Sequence, residues 1–388
     1  MKPIYLDYNG TTPHDPEVIA AMRPFLEEEF GNPSSGHLYG VKPRQALRAA
    51  RQQVASLLNC APAEVVFTSG GTEANNWAII GSTNALRYRG RHIITSTFEH
   101  PAVLNVCRFL EKEGWNVTYV PVDGQGLVSV AEIEAALRPD TILITIMHAN
   151  NEVGTIQPIA EIVAMAQTRG IRVHTDAAQS LGKIRVDVTL LGVDLLSLAG
   201  HKLYAPKGVG ALYIREGLSI ENFMHGAGQE MGKRPGTENI LEIVGLGKAC
   251  EVAARDLEKN RRSMQAMRDR LHVAIAAGIK DVRLNGHPEK RLPNTLSLSF
   301  RNLEANRLLE AIGSEVAASA GAACHADSVE ISHVLQAMGV PEDWAKGTLR
   351  LTTGRMTTPQ EVDRAAHVIR EAVADIRKRS SGCSDLDD

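Results

Sequence analysis

The sequence predicts an α/β protein whose mainly parallel sheet is joined to a second, smaller α+β domain. Between about residues 64 and 215, short apolar segments alternate with helical patterns, as in parallel sheets covered by helices on both faces. A long helical stretch then covers residues 237–278, after which the alternation changes. A chain of 388 residues is long enough for one large and one small domain.

Seven short apolar segments are the expected strands of the large sheet. They read EVVF, RHIITS, NVTYVPV, TILITIMHA, IRVHTDA, DLLSLAG and GALYIR, at residues 64–67, 91–96, 116–122, 141–149, 171–177, 194–200 and 210–215. Four helical patterns lie between them, at residues 72–88, 102–114, 130–137 and 159–170. Ligands of such sheets bind at the carboxyl ends of the strands, so candidate residues are sought there.

Composition and charge exclude several classes of protein. The hydrophobic content of 44% and the charged content of 22% are typical of soluble globular proteins. The formal net charge of −3 gives no reason to expect nucleic acid or an anionic membrane as a partner. No apolar run approaches the roughly 18 residues of a transmembrane helix, and the start, MKPIYLDYNG, lacks the apolar core of a signal peptide. We therefore expect a cytoplasmic protein.

The cysteines argue against a disulfide framework and against a structural metal site. Their number is odd, their spacing is wide and no C-x-x-C occurs. The five are Cys60, Cys107, Cys250, Cys324 and Cys383. A cysteine that takes part in chemistry here would act as a free thiol.

Lys202 follows an apolar run in the stretch SLAGHKLYAPKGVG. A lysine at a strand end is usually a solvated cap, because lysine is rarely fully buried. The apolar residues before Lys202 indicate a buried strand end, where an amine can lose its proton and become a nucleophile.

A glycine-rich turn precedes the first expected helix of the sheet, in EVVFTSGGTEANN. Gly70 and Gly71 would let an anion approach the backbone, and the helix N-terminus would attract it. Taken alone, the segment favours a plain helix capped by Ser69 or Thr72. It is not a Walker A sequence, because no Gly-Lys-Ser/Thr follows.

Two further polar residues follow expected strands. Asp176, in RVHTDAAQS, could pair with a protonated ring nitrogen or could equally cap a helix. His100, in TFEHPAV, is on its own more typical of a structural hydrogen-bonding residue than of a catalyst. An anion cup, a carboxylate, a histidine and a buried lysine at one sheet edge together predict a pyridoxal 5'-phosphate site. This cofactor needs an anion site, an acidic partner for its ring nitrogen and a lysine for a Schiff base.

Ten ordered motifs resemble those of the cysteine desulfurases of the class V aminotransferase fold, with the selenocysteine lyases as close relatives. They are YLDYNGTTP, GNPSS, TSGGTEANN, EHPAV, NNEVGTIQPI, HTDAAQSLGK, GHKLYAPKGVG, RPGTEN, AGAACH and LRLTTGRMTT, and they span about residues 3–375. The resemblance implies fold type I of the pyridoxal-phosphate-dependent transferases. It implies a large domain over 15–255, a small domain over 1–14 and 256–378 that carries a catalytic-cysteine loop, and a disordered tail over 379–388.

The resemblance also assigns roles to residues that bind the cofactor. The cofactor-binding set is Gly71, Thr72, His100, Asn151, Asp176, Gln179, His201, Lys202 and Thr237. Lys202 would form the Schiff base, and Asp176 would pair with the ring nitrogen. Gln179 and Asn151 would contact the ring oxygen, and His100 would stack on the ring and move protons.

The remaining members of the cofactor-binding set would hold the phosphate. Gly71, Thr72 and His201 would do so within one chain, while Thr237 would reach the phosphate of a neighbouring subunit, which implies a homodimer. Arg350, with Asn151, would bind the substrate, because an arginine fork suits a carboxylate.

Cys324 matches the nucleophilic cysteine of the family. Its small and polar neighbours, in SAGAACHADSVEIS, suit a mobile loop that carries a thiol to the substrate. The usual alternative for any cysteine, a small buried hydrophobe, is assigned to three of the other cysteines. Cys383 is interpreted as an unpaired thiol in the tail, with a sulfur-relay role as the less favoured alternative.

The implied reaction converts L-cysteine to L-alanine, with the sulfur held on Cys324 as a persulfide and then passed to an acceptor protein, such as an iron–sulfur scaffold.

Ala199 stands where the desulfurases commonly have a serine whose hydroxyl meets the phosphate. That change, with RPGTEN and AACH, favours a selenocysteine lyase acting on L-selenocysteine, whereas EHPAV and HKLYAPKG favour a desulfurase of the nitrogen-fixation type. A non-catalytic sulfur-transfer partner is the third reading, which the intact set of site residues disfavours.

Overall fold

The structure is a computed structural model that describes residues 2–325 and 328–382, with the backbone alone for 322–325, 328–330 and 380–382. Its strands are β1 (Ile4–Tyr5), β2 (Val65–Thr68), β3 (His92–Ser96), β4 (Asn116–Val120), β5 (Thr141–Thr145), β6 (Arg172–Asp176), β7 (Leu195–Ala199), β8 (Gly210–Ile214), β9 (Val282–Asn285), β10 (Thr295–Phe300), β11 (Val316–Ala317), β12 (Ser319–Ala320), β13 (Ala322–His325), β14 (Ser328–Ile331) and β15 (Thr348–Thr352). Its α-helices are α1 (Pro16–Glu27), α2 (Val41–Leu58), α3 (Gly71–Leu86), α4 (Pro101–Lys112), α5 (Val130–Ala135), α6 (Ile159–Gln167), α7 (Val188–Leu191), α8 (Ile240–Ala276), α9 (Ala305–Ile312), α10 (His333–Ala337), α11 (Glu342–Ala345) and α12 (Pro359–Gly382).

The large sheet confirms the predicted α/β class. Among the described residues it has seven strands in the order β2-β8-β7-β6-β5-β3-β4, and every expected strand is present. Strand β8 runs antiparallel to both of its neighbours, and the other neighbouring pairs are parallel. Six strands therefore end at the same edge of the sheet.

Helices cover both faces of this sheet, which explains why its strands are apolar without alternation. On β7, Leu195 packs with Trp77 of α3 on one face. Its neighbours Leu196 and Leu198 pack on the other face, in a cluster that includes Leu246 of α8. Strand β7 is therefore buried on both faces up to its end at Ala199, and the turn that follows contains Lys202.

A second sheet, of order β12-β15-β10-β9, packs against helices of the C-terminal part. The N-terminal segment joins it, because β1 pairs with β11 and Leu6 lies in its core. Helix α8 runs from residue 240 to 276 and so crosses the expected boundary at 255/256, which stays a prediction. Helix α12 continues to Gly382, so residues 379–382 of the expected tail are helical.

The segment around Cys324 forms a two-stranded antiparallel hairpin of β13 and β14, in which Cys324 pairs with Val329. It is thus more regular than the loop that its small residues suggest. Cys383 lies outside the described residues. No helix within 2–325 or 328–382 has both the length and the apolar character that a bilayer crossing requires.

Candidate active site

One cavity of about 260 Å³ lies at the carboxyl ends of the parallel strands. Most of the predicted site residues line it. Its walls include Asn9, Gly10, Gly71, Thr72, Asn75, His100, Met147, Asn151, Asp176, Gln179, Ala199, His201, Lys202 and Arg350. The large sheet supplies most of this wall, and the second sheet contributes Arg350 from β15.

The predicted anion cup is present at the start of α3, but its cap differs from the prediction. Gly70 occupies the N-cap position with a φ of 153° and makes no side-chain cap. Ser69 instead donates its N–H to the carboxylate of Glu73 at 2.8 Å. A Cβ on Gly71 would lie 3.1 Å from the Cβ of Ala199, so helix and strand approach closely here. Gly71 and Thr72, at the start of α3, line the cavity, and the first N–H groups of a helix have no partner within the helix.

Lys202 follows β7 in a short 3-10 turn, and its amine donates hydrogen bonds to two backbone carbonyl oxygens. The Nζ donates to the carbonyl oxygens of Asn9 at 2.7 Å and Gly10 at 2.6 Å. Burial, reinforced by the Arg350 cation, lowers the pKa of Lys202 to about 8. The amine is therefore far closer to neutrality at physiological pH than a solvated lysine.

Asp176 ends β6, and both of its carboxylate oxygens are engaged. Oδ2 accepts from Nδ2 of Asn75 at 2.7 Å, and Oδ1 accepts the N–H of Ala178 at 2.9 Å. The turn-forming role and the cavity-facing position therefore coexist in one residue. Asn75 was not predicted from the sequence, since an asparagine inside a helical pattern carries no signal of its partner.

His100 lies between β3 and α4, and it also combines a structural role with a place in the cavity. Its Nδ1 accepts the N–H of Ala102 at 3.1 Å and so caps α4. Burial lowers the pKa of His100; Asp176 opposes this effect and Lys202 adds to it. A neutral ring whose Nδ1 accepts carries its proton on Nε2.

Arg350 reaches the cavity from β15 of the second sheet. It donates to Asp7 at 2.7 Å, to the Asn151 carbonyl at 3.2 Å and to Ser319 at 3.2 Å. Its Nε is buried without a partner among the described residues. The guanidinium is thus pre-positioned by three acceptors, which suits the predicted recognition of a carboxylate.

Of the two remaining predicted phosphate-binding residues, His201 lines the cavity and Thr237 does not. Burial, with the Lys202 cation adding, lowers the pKa of His201 to about 4, so its ring is neutral. Its carbonyl accepts from the backbone and hydroxyl of Thr12, which ties the N-terminal segment to the site. Thr237 is exposed and does not line the cavity.

Cys107 and Cys250 are buried as predicted, whereas Cys60 is half-buried. Burial raises the pKa of Cys60 and of Cys107 to about 12 and raises that of Cys250 as well. A buried thiol that stays protonated is a poor nucleophile. Of Cys324, only the backbone position in β13 is described.

Residues 4–365 match the family described as aminotransferase class-V. The chain belongs to this family. Over 98% of its length it is 48% identical to a protein named cysteine desulfurase IscS from Methanosarcina thermophila, of which it covers 94%. It is 45% identical to a cysteine desulfurase from Mus musculus, covering 98% of this chain and 83% of that one.

Solved structures agree with this class V assignment. A NifS-like protein matches with a TM-score of 0.91 and 37% identity, over 96% of this chain and all of the other. A protein named SspA, solved in complex with cysteine, matches with a TM-score of 0.81 and 37% identity, over 92% and 100% of the two chains. The family is one of pyridoxal-phosphate-dependent enzymes. Within the described residues no group of acidic, histidine and cysteine side chains could hold a metal ion.

Proposed function

We propose that this protein is a pyridoxal-phosphate-dependent cysteine desulfurase, which takes sulfur from L-cysteine and leaves L-alanine. The observation that carries the proposal is the single cavity in which a lysine amine of lowered pKa, a carboxylate, a neutral histidine and an arginine meet. Relatives that are named cysteine desulfurase match almost the whole chain and support the same activity.

The residues of the cavity fit the cofactor. The start of α3, at Gly71 and Thr72, would hold the phosphate, and Asp176 would hold a proton on the ring nitrogen. Oδ1 of Asn75 and Nε of Arg350 are buried polar atoms of the cavity wall that have no partner among the described residues. Such atoms are usually satisfied by a ligand or by water.

Different residues of the cavity would bind the substrate and remove its α-proton. When bound, the cofactor withdraws electrons from the α-carbon of the amino acid. Arg350 would bind the substrate carboxylate and orient the α-hydrogen, and the neutral amine of Lys202 would remove that proton. The carbonyl oxygens of Asn9 and Gly10 would hold the amine once it is protonated, because they accept its N–H bonds in the structure.

Sulfur transfer would use Cys324. Its thiolate attacks the substrate sulfur, an S–S bond forms as the C–S bond breaks, and the electron pair of that bond stays with the three-carbon fragment that becomes alanine. The persulfide would then pass its outer sulfur to an acceptor protein. The raised pKa values of Cys60, Cys107 and Cys250 support this choice, because those thiols stay protonated.

We further propose that the enzyme is a homodimer in which Thr237 completes the site of the partner subunit. Two ion pairs, Arg51–Glu230 at 2.6 Å and Arg234–Glu73 at 2.9 Å, brace the segment that carries exposed Thr237. Phe30 and Tyr39 are both exposed, and their rings pack against each other with centroids 5.4 Å apart, beside exposed Leu38. A group of adjacent exposed apolar side chains supports an interface.

The test compares alanine release from L-cysteine and L-selenocysteine by the wild type, Lys202→Ala and Cys324→Ala. Lys202→Ala is expected to lose release from both substrates. Cys324→Ala is expected to lose release from cysteine, and mass spectrometry should find an added sulfur on the Cys324 peptide of the wild type. Poor wild-type turnover of cysteine, with selenocysteine still cleaved by Cys324→Ala, would instead establish a selenocysteine lyase. Added sulfur on Cys383 alone would refute Cys324 as the acceptor.

A further inference from the structure

Lys183 is a buried amine for which the proposed reaction has no use. It follows Gln179 in the stretch HTDAAQSLGK, and only 4% of it is exposed. Burial, with the cations of Lys202 and Arg350 adding, lowers its pKa well below the usual lysine value. An amine this deep in the protein needs hydrogen-bond partners.

Those partners lie in the wall of the active-site cavity. The Nζ of Lys183 donates to Oδ1 of Asn9 at 3.0 Å and to Oε1 of Gln179 at 2.8 Å. Gln179 in turn donates its Nε2 to the carbonyl oxygen of Asn9 at 3.0 Å. The three residues therefore form a closed ring of hydrogen bonds, and two of them line the cavity.

The direction of each bond in this ring is fixed by main-chain carbonyls. A carbonyl oxygen can only accept, so Nε2 of Gln179 must face the carbonyl of Asn9. In the same way, Nδ2 of Asn9 must face the carbonyl of Asn151, 3.1 Å away. Both side-chain oxygens then face Lys183, whose amine must donate to each of them.

We propose that Lys183 is a positioning residue, which holds the Gln179 amide so that its second N–H faces the ring oxygen of the bound cofactor. The proposal rests on the proposed function, because it needs a cofactor in the cavity. An amide nitrogen has two N–H donors, and the bond to Asn9 uses one of them. Lys183 restrains the opposite end of the same amide and so fixes where the other donor points.

The experiment titrates the visible absorption of the cofactor-loaded enzyme with pH. Its midpoint reports the proton shared between the Lys202 nitrogen and the ring oxygen. A donor to that oxygen stabilises its anionic form, so losing the donor makes the oxygen more basic and raises the midpoint. Gln179→Ala is expected to raise it by about one pH unit. Lys183→Met should raise it by about half a unit, because Asn9 still holds one end of the amide.

A double-variant cycle shows whether Lys183 acts through Gln179. In the Gln179→Ala background, Lys183→Met is expected to cause no further shift. An equal shift in both backgrounds would mean that the lysine acts by its charge or by general packing, and would overturn the proposal. Lys183→Leu is a second apolar variant with the same expected shift, should methionine not be tolerated.

Asn294→Ala is the matched control. Asn294 donates to the same Oδ1 of Asn9 at 2.9 Å, and its other side-chain bond is to Thr295 and not to Gln179, so the midpoint should stay at the wild-type value. A shift as large as that of Lys183→Met would place the effect in Asn9 and refute the proposal. The absence of any cofactor band in the wild type would refute the proposed function, whereas a normal band with an unmoved midpoint in Lys183→Met would refute the positioning role alone.

Discussion

At the scale of single residues, the site consists of groups that each serve the fold and the cavity at once. His100 caps α4, and Asp176 closes a turn with Ala178, yet both line the same cavity. From the sequence, each of these two residues has either a structural or a catalytic interpretation. In the structure, each makes a structural hydrogen bond and also lines the cavity, so the structural role does not exclude a catalytic one. A capping bond also fixes the direction in which the rest of the side chain points.

Asp176→Asn is expected to slow removal of the substrate α-hydrogen about 10- to 100-fold while the cofactor stays bound. The amide would lose a charge-assisted hydrogen bond to the ring nitrogen, worth about 1.5–3 kcal/mol. Both present partners of Asp176, Asn75 and Ala178, are donors, so the amide nitrogen would have to face one of them. The rate of α-hydrogen exchange of alanine in D₂O, followed by NMR, measures the step directly.

Asp194→Asn is the matched control for that prediction. Asp194 also accepts a backbone N–H, from Val173 at 2.8 Å, but it does not line the cavity. Its replacement should leave the exchange rate near the wild-type value. Equal exchange rates in Asp176→Asn and the wild type would mean that the ring nitrogen has another partner.

Lys202 gives the site a pH dependence that can be worked out from its pKa of about 8. The unprotonated amine is the form that bonds to the cofactor, so the rate at which the apoenzyme takes up the cofactor should rise with pH, reach half of its maximum near pH 8 and level off about one unit above that. Arg350 lowers this pKa, so Arg350→Met should move the midpoint to higher pH. Arg301→Met, which breaks an exposed pair with Asp343, should not. A pH-independent uptake rate would contradict the assignment of Lys202.

Residues with distinctive chemistry could be predicted from the sequence, and their supporting partners could not. Lys202 and Asp176 carry charges at the ends of apolar strands, where a charge needs an explanation. Arg350 lies within β15, and its role was expected only from the family resemblance. Asn9 was missed although it holds Lys202, because its contacts join segments as distant as residue 352. Lys183 was missed for the same reason, since no local spacing shows that a lysine is buried against two amides.

At the scale of elements, the strands were predictable because both faces of the sheet are covered, and the exceptions have physical causes. The antiparallel direction of β8 does not alter its apolar pattern, so the sequence carries no signal of it. The start of α3 uses Gly70 instead of a capping serine or threonine, because its N–H groups are directed to the cavity. The hairpin of β13 and β14 was expected to be a loop because of its small residues.

The base of that hairpin is attached to the wall of the active site. Ser332 donates its N–H to the carbonyl of Gly321 at 3.0 Å and its hydroxyl to the buried carboxylate of Glu152 at 2.6 Å. The ring of His333 bonds to the carbonyl of Glu99 at 2.9 Å. Glu152 follows the cavity residue Asn151, and Glu99 precedes the cavity residue His100. The segment that follows β14 is therefore attached to the site at two points, and Gly321, before β13, is held to that segment by Ser332.

Ser332→Ala should therefore slow persulfide formation on Cys324 without changing the cofactor absorption. The change removes the bond to Glu152 and the cap of α10, where the Ser332 hydroxyl accepts from Val334 at 3.1 Å. A lost cap costs about 1 kcal/mol, and a misplaced nucleophile should lower the rate about three- to tenfold. Mass spectrometry of the Cys324 peptide after mixing with cysteine gives the rate.

Ser129→Ala provides the comparison for the hairpin prediction. Ser129 also caps a helix, α5, through its hydroxyl, but it does not line the cavity. Both variants remove a helix cap, and Ser332→Ala also removes the bond to Glu152, so only Ser332→Ala should slow the sulfur step. Equal persulfide rates in the two variants would show that the attachment of the hairpin does not position Cys324.

At the scale of the whole molecule, the site depends on segments from both ends of the chain. Asn9 of the N-terminal segment accepts hydrogen bonds from Gln179 and Lys202, which follow strands of the large sheet. Asp7 of the same segment accepts from Arg350 of β15. The resemblance implies that residues 1–14 belong to the small domain, which stays a prediction, and in the structure β1 pairs with β11. The apolar patterns of the sequence indicate the cores of the large sheet and of the second sheet. They do not indicate which polar residues of the two parts come together.

The proposed dimer leads to a prediction about Thr237 that separates two geometries. Gly236 and Glu238 line a cavity of their own chain together with Ser69, so Thr237 could serve the site of its own chain or that of the partner subunit. Lys202→Ala removes one site completely, and Thr237→Ala should weaken cofactor binding by the loss of one hydrogen bond. At a cofactor concentration that only just saturates the wild type, Lys202→Ala should lack covalently held cofactor and Thr237→Ala should be only partly loaded.

Mixing the two variants after dissociation and reassociation should restore binding if Thr237 acts across the interface. In a mixed dimer, the chain with Thr237→Ala keeps Lys202 and receives an intact Thr237 from its partner, so one of its two sites is complete. Random pairing makes about half of the dimers mixed, so about a quarter of all sites should regain wild-type affinity for the cofactor. If Thr237 serves its own chain, every site stays defective and mixing changes nothing. Cofactor absorption of the mixture after gel filtration, together with sedimentation to establish the dimer, distinguishes these outcomes, and an active monomer would contradict the dimer itself.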